Sequence, residues 1–151
     1  MEKEETEKKL QEKVMAYKML ENRLEALGRQ QQMFTQRLIE INNTIASIEE
    51  IKKGEKDILF PLGSAAFAKG EVSDEKKIIV DIGAGVVFEK DISDGIALLE
   101  DRRKEIENAA MVLKNEIDTI AQQMQVIEAD TQRIISGTQK DDEKFRVISN
   151  E

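Results

Sequence analysis

The sequence predicts a mainly α chain with a small β head: two long helices folded back antiparallel as a coiled coil and joined by two β-hairpins. Two observations predict it. Two stretches of nearly equal length carry apolar residues that step by three and four, the rhythm of a heptad seam. Between them, the segment from Gly54 to Gly95 holds the only proline, most of the phenylalanines and the glycine punctuation, with alternating apolar residues that read as strands. The expected organisation is a single subunit over 1–151, with a coiled-coil helix at 1–53, a hairpin head at 54–92, a second helix at 93–137 and a flexible tail at 138–151.

In the first helix the seam runs Tyr17, Leu20, Leu24, Leu27, Gln31, Phe34, Leu38, Ile41, Ile45, Ile48. Leu10 and Val14 extend it toward the start, although Val14 to Tyr17 to Leu20 makes two steps of three, a stammer that would overwind the coil. Gly54, after Lys52 and Lys53, is the expected stop, because glycine accepts the left-handed cap and cations suit the carbonyl end of the helix dipole.

In the head, Ile58, Phe60 and Leu62 alternate before Gly63, and Ala65 to Lys69 can return beside them. Ile78, Val80 and Ile82 alternate before Gly83-Ala84-Gly85, and Val86 and Phe88 share a face of the returning strand. Isolated hairpins are marginal in water, and both helices are committed to their own seam. The head is therefore expected to associate with other chains through Ile58, Phe60, Leu62, Phe67, Ile78, Val80, Ile82, Val86 and Phe88.

The second helix opens after Asp91 or Ser93 as cap, with Asp94 in its first turn. Its seam runs Ile96, Leu99, Arg103, Ile106, Ala110, Leu113, Ile117, Ile120, Met124, Ile127, Thr131, Ile134. Gly137 is the expected end, and the tail beyond shows no sustained period. Folding back puts Ile48 opposite Leu99 and brings both termini to one end. There Met15, Met19, Val126 and Ile135 lie off the seam, beside the seam residues Tyr17, Leu20, Ile127 and Ile134. Methionine adapts to varied apolar surfaces, which suits a promiscuous binding site.

Composition narrows the function classes. A net charge of −8 opposes binding to nucleic-acid backbones. With no Cys and no His, the usual thiolate and imidazole chemistry of metal sites, nucleophiles and general bases is absent, so no enzyme, metal or cofactor is expected. No run of about 18 apolar residues suggests a membrane span, and a cytoplasmic protein is expected. Asp81-Ile82-Gly83-Ala84-Gly85 resembles a nucleotide loop only superficially: the third glycine is missing and a strand follows, so a hairpin turn is the better reading.

The run Phe60-Pro61-Leu62-Gly63-Ser64-Ala65-Ala66-Phe67-Ala68-Lys69-Gly70-Glu71-Val72, continued by Val80-Asp81-Ile82-Gly83-Ala84-Gly85-Val86-Val87-Phe88-Glu89-Lys90, resembles the α-class subunits of prefoldin, archaeal type. Room for two hairpins favours the α class, since β-class subunits carry one. The resemblance implies a hexamer of two α and four β subunits, with the hairpins joined into an intersubunit β-barrel. It also implies ATP-independent capture of unfolded clients at the coiled-coil tips, where Met15, Tyr17, Met19, Leu20, Val126, Ile127, Ile134 and Ile135 are the expected client-binding residues, and transfer of the clients to a group II chaperonin. The alternatives are a self-assembling prefoldin-like filament and a structural coiled-coil scaffold.

Overall fold

The structure, a computed structural model, describes residues 2–54 and 56–148, with side chains described for 3–54 and 56–140. The order is α1 (Glu2–Lys52), β1 (Ile58–Gly63), β2 (Ala66–Gly70), β3 (Lys77–Gly83), β4 (Val86–Asp91) and α2 (Ile92–Ile148). Two compact units emerge. A terminal unit holds Met1–Gln32 and Met111–Glu151, and a central unit holds Met33–Ala110.

In the terminal unit the two helices pack along their seams. Leu27, Leu113 and Ile120 are buried, with Leu27 only 2% exposed. Leu20, Leu24, Ile117, Met124, Ile127 and Ile134 are half-buried beside them. Cross-helix polar pairs fix an antiparallel register: Lys13 Nζ to Asp130 at 2.9 Å, Tyr17 Oη to Glu128 at 2.8 Å, and Arg23 Nη2 to Glu116 at 2.6 Å. Lower numbers on α1 meet higher numbers on α2.

Two expectations for this unit are corrected. Val14 is 61% exposed, and Lys13 takes the inward position instead, so Leu10, Lys13, Tyr17 and Leu20 keep the 3-4 step and no stammer arises. A lysine can hold that position because its stem covers apolar surface while its ammonium reaches Asp130. Likewise α2 does not stop at Gly137 but continues to Ile148. One interior glycine costs about 1 kcal/mol relative to alanine. Thr138 prolongs the seam rhythm half-buried, and its hydroxyl donates to the Ile134 carbonyl at 2.9 Å. Of the tail, residues 149–151 lie outside the described residues.

In the central unit Ile45, Ile48, Ile92 and Leu99 form a buried cluster, with Ile41, Ile51, Ile78 and Ile96 packed against it. Ile48 and Leu99 thus share one core. At Gly54 α1 ends as expected, with φ +83° and its N–H donating to the Ile51 carbonyl at 3.0 Å. Asp91 ends β4 and directly precedes Ile92, where α2 starts.

The four strands form two separate antiparallel pairs, β1 with β2 and β3 with β4. Both hairpins are built alike. Each closes with two central residues at positive φ, Ser64-Ala65 and Ala84-Gly85, the signature of a type I′ turn. Each also carries one extra residue just before its turn, Leu62 and Ile82, where the register shifts. The primed turn matches the right-handed strand twist, and the bulge adds to it.

Candidate functional site

The head offers the larger apolar surface. In β3–β4 the exposed residues are Ile79, Ile82, Val86, Val87 and Phe88; in β1–β2 they are Leu59, Phe60, Leu62 and Phe67. Cross-strand pairing puts Ile79 opposite Glu89 and Val87 opposite Asp81, on one face, while Phe88 lies opposite Val80 on the other. Each hairpin is a sheet of two strands, so all four strands have an outer edge unpaired within the described chain. Large contiguous apolar patches of this kind are candidates for interaction surfaces.

Two of the residues expected to face other chains do not. Val80 is 8% exposed and Ile78 belongs to the cluster around Ile45 and Ile92. Their side chains lie over Gly95 in the first turn of α2, where a Cβ would collide with Ile78. The start of α2 therefore does cover part of the head. Only glycine at position 95 allows so close an approach. Arg102 Nη2 adds a hydrogen bond at 2.6 Å to the Asp81 carbonyl, tying the bulge of β3–β4 to the same helix.

Ile58 is half-buried, and the ring of Phe60 rests against Gly70. Alternation alone missed Leu59, Ile79 and Val87, because it assigned one apolar face per strand. The continuous runs Ile78-Ile79-Val80 and Val86-Val87-Phe88 were the signal that two faces are apolar. The Asp81–Gly85 stretch is a turn as expected, with Asp81 Oδ1 accepting from the Gly83 N–H at 2.8 Å.

The second candidate surface lies in the terminal unit. Met15 and Met19 are each 70% exposed, Val126 60% and Ile135 44%. Tyr17, Leu20, Ile127 and Ile134, expected among the binding residues, are instead half-buried in the seam. Val14 joins the exposed group: with Leu10 and Met15 it lines an open groove of about 640 Å³ along α1, bordered by Lys8, Gln11, Glu12 and Lys18. Its sequence position mimicked a seam residue, which hid it.

The polar pairs around this surface brace it. A hydrogen bond and the charge of Lys13 hold the Asp130 carboxyl below the ordinary Asp range. Tyr17 donates to Glu128, and that bond first, then loss of solvent and the nearby charges of Glu128 and Glu21, push its phenol above the ordinary value. A raised folded-state pKa means that the bond stabilises the terminal unit below the unfolded phenol's pKa of about 10 and that this contribution fades as pH rises through the folded value. Tyr17 is the only tyrosine and there is no tryptophan. Phenolate absorbance should therefore give a single clean titration with a midpoint above that of a free tyrosine peptide, and Glu128→Gln should lower it.

Among the described residues no group of three acidic side chains is placed to hold a metal ion, and no helix is long and apolar enough to cross a membrane.

Residues 20–136 match the Prefoldin subunit family. The chain is 35% identical over 100 residues to prefoldin subunit alpha 1 of Thermococcus kodakarensis, covering 65% of this chain and 68% of that one. It is 32% identical to prefoldin subunit alpha of Nitrosopumilus maritimus over 81% of its own length and 85% of the relative's. For prefoldin subunit alpha of Archaeoglobus fulgidus the figures are 30%, 82% and 91%. In fold it is similar to a chain of the filamentous PFD from Methanocaldococcus jannaschii, solved by cryo-EM, with a TM-score of 0.65, 21% identity, and coverage of 80% of this chain and 98% of that one. Prefoldins are non-enzymatic chaperone subunits that assemble with other prefoldin subunits. On the family match and the archaeal relatives together, the chain belongs to the prefoldin family, in its alpha class and of the archaeal type.

Proposed function

We propose that this subunit is part of an ATP-independent chaperone that captures unfolded proteins at its coiled-coil ends and passes them to a group II chaperonin. The observation that carries the reading is the exposure of Met15, Met19, Val126 and Ile135, at 44 to 70%, on helices already braced against each other. Apolar side chains that the seam does not use are available to apolar client segments. Methionine fits segments of different shape because its side chain is unbranched and polarizable. Each contact is weak, and repetition over several subunits raises the effective concentration. Release requires only a competing surface.

In this reading the head joins two α and four β subunits, its exposed hairpin faces closing into a barrel shared between chains. The assembly works in the cytoplasm, without nucleic acid or membrane partners. To test capture, the full-length chain carrying Ser at positions 15, 19, 126 and 135 is assembled with a β-class partner and mixed with a denatured client, without nucleotide. Assembly mass should stay unchanged while suppression of client aggregation falls several-fold. Undiminished suppression would refute the assignment.

A second reading is self-assembly of this chain into homo-oligomers or filaments. It draws on apolar residues on both faces of β3–β4, which require no β-class partner in particular. The native mass of the chain expressed alone separates the two.

A further inference from the structure

We infer that Met15 and Met19 are a reversible oxidation site that turns client capture off without unfolding the subunit, an inference that rests on the capture reading above. The chain has six methionines and no cysteine, so thioethers are its only readily oxidised sulfur. Among the described residues they divide into two kinds. Met124 occupies a seam position and is half-buried, whereas Met15, Met19, Met33 and Met111 are between 58 and 70% exposed. Met15 and Met19 are the most exposed of these. They stand four residues apart and therefore share one helix face.

The chemistry is a two-electron oxygen transfer. A sulfur lone pair attacks one oxygen of hydrogen peroxide, the O–O bond breaks, an S–O bond forms, and the peroxide is reduced to water. Sulfoxide reductases return the thioether, oxidising a dithiol to a disulfide and releasing the oxygen as water. The product is polar. On an exposed helix face a sulfoxide remains hydrated, so the folded subunit loses little. Covering it with an apolar client segment would strip that water without providing a partner. The same modification is therefore nearly neutral for folding and adverse for capture. Its position off the seam and the braces at Lys13–Asp130 and Tyr17–Glu128 keep the two effects apart.

The test treats the full-length chain with hydrogen peroxide, removes the oxidant with catalase, assembles it with an untreated β-class partner and measures suppression of client aggregation. Mass spectrometry of the fragments locates the added oxygen. Expected are oxidation of Met15 and Met19 ahead of Met124, unchanged helicity and assembly mass, a loss of suppression of about three- to tenfold, and recovery after repair by sulfoxide reductases of both epimer specificities. The Met33→Leu, Met111→Leu variant should lose suppression as the parent does. The Met15→Leu, Met19→Leu variant, scored against its own untreated sample, should not respond to peroxide. If the Leu pair itself abolishes capture, recovery of the parent on repair decides the matter.

The proposal is overturned if the oxidised parent retains full suppression, if its loss is not repaired, or if the Leu pair remains peroxide-sensitive. If the untreated parent fails to suppress aggregation, the capture reading falls as well.

Discussion

Replacing Phe67 and Phe88 with Asp should break the assembly into small species on a sizing column while helicity persists. Both rings are more than half exposed in the isolated subunit, at 59 and 52%, so the substitutions remove little from its own core. Full burial of such a ring contributes about 1.5–3 kcal/mol, and since only the exposed half of each remains to be covered, burial between chains would contribute about 0.8–1.7 kcal/mol for each. The pair then weakens association by roughly ten- to three-hundredfold, before any cost of desolvating the new carboxylates. Position 80 is the wrong place for this experiment. Val80 is buried against Gly95, so an aspartate there would damage the subunit as well as the contact. Persistence of the parent mass in the Phe67→Asp, Phe88→Asp variant would show that the head does not hold the chains together.

The second large effect is expected at Leu27. Among the described residues it is the most completely buried side chain, 2% exposed, and the terminal unit shows only Leu113 and Ile120 buried beside it. Leu27→Ala should cost about 2–5 kcal/mol, because the cavity adds to the lost transfer energy. For a chain of this size that lowers Tm by about 5–15 °C, read by circular dichroism. Leu27→Met should cost less than about 1.5 kcal/mol, since volume and apolarity are kept. Equal losses for the two would argue against tight seam packing at this level.

Much of the fold was legible because its signals are periodic. Residues from Ile96 to Ile134 on the predicted second seam are buried or half-buried without exception, and Gly83-Ala84-Gly85 makes its turn. What escaped depended on contacts that no period encodes. Lys13 displaced Val14 from the seam because Asp130, more than a hundred residues away in the chain, receives its charge. Ile78 and Val80 turned inward because position 95, although expected to lie in a helix, has no side chain. Gly137 looked like an ending because glycine often is one, yet its flanks were strong enough to carry α2 through.

For the candidate surfaces the same division holds. The exposure of Met15, Met19, Val126 and Ile135 followed from the heptad, which assigns each residue to the seam or away from it. The heptad also marks Tyr17, Leu20, Ile127 and Ile134 as seam residues, and counting them among the binding residues ran against it. The second apolar face of the head, with Ile79 and Val87, needed the strand register.

The fastening of β3–β4 to α2 has a mechanical consequence. Ile78 and Val80 over Gly95 and the Arg102 hydrogen bond to Asp81 act as rivets between this hairpin and the base of one helix, while the Lys77–Asp91 pair at 2.7 Å holds the hairpin's own two strands together. Force applied to β3–β4 is therefore delivered into the first turns of α2 rather than absorbed within the hairpin.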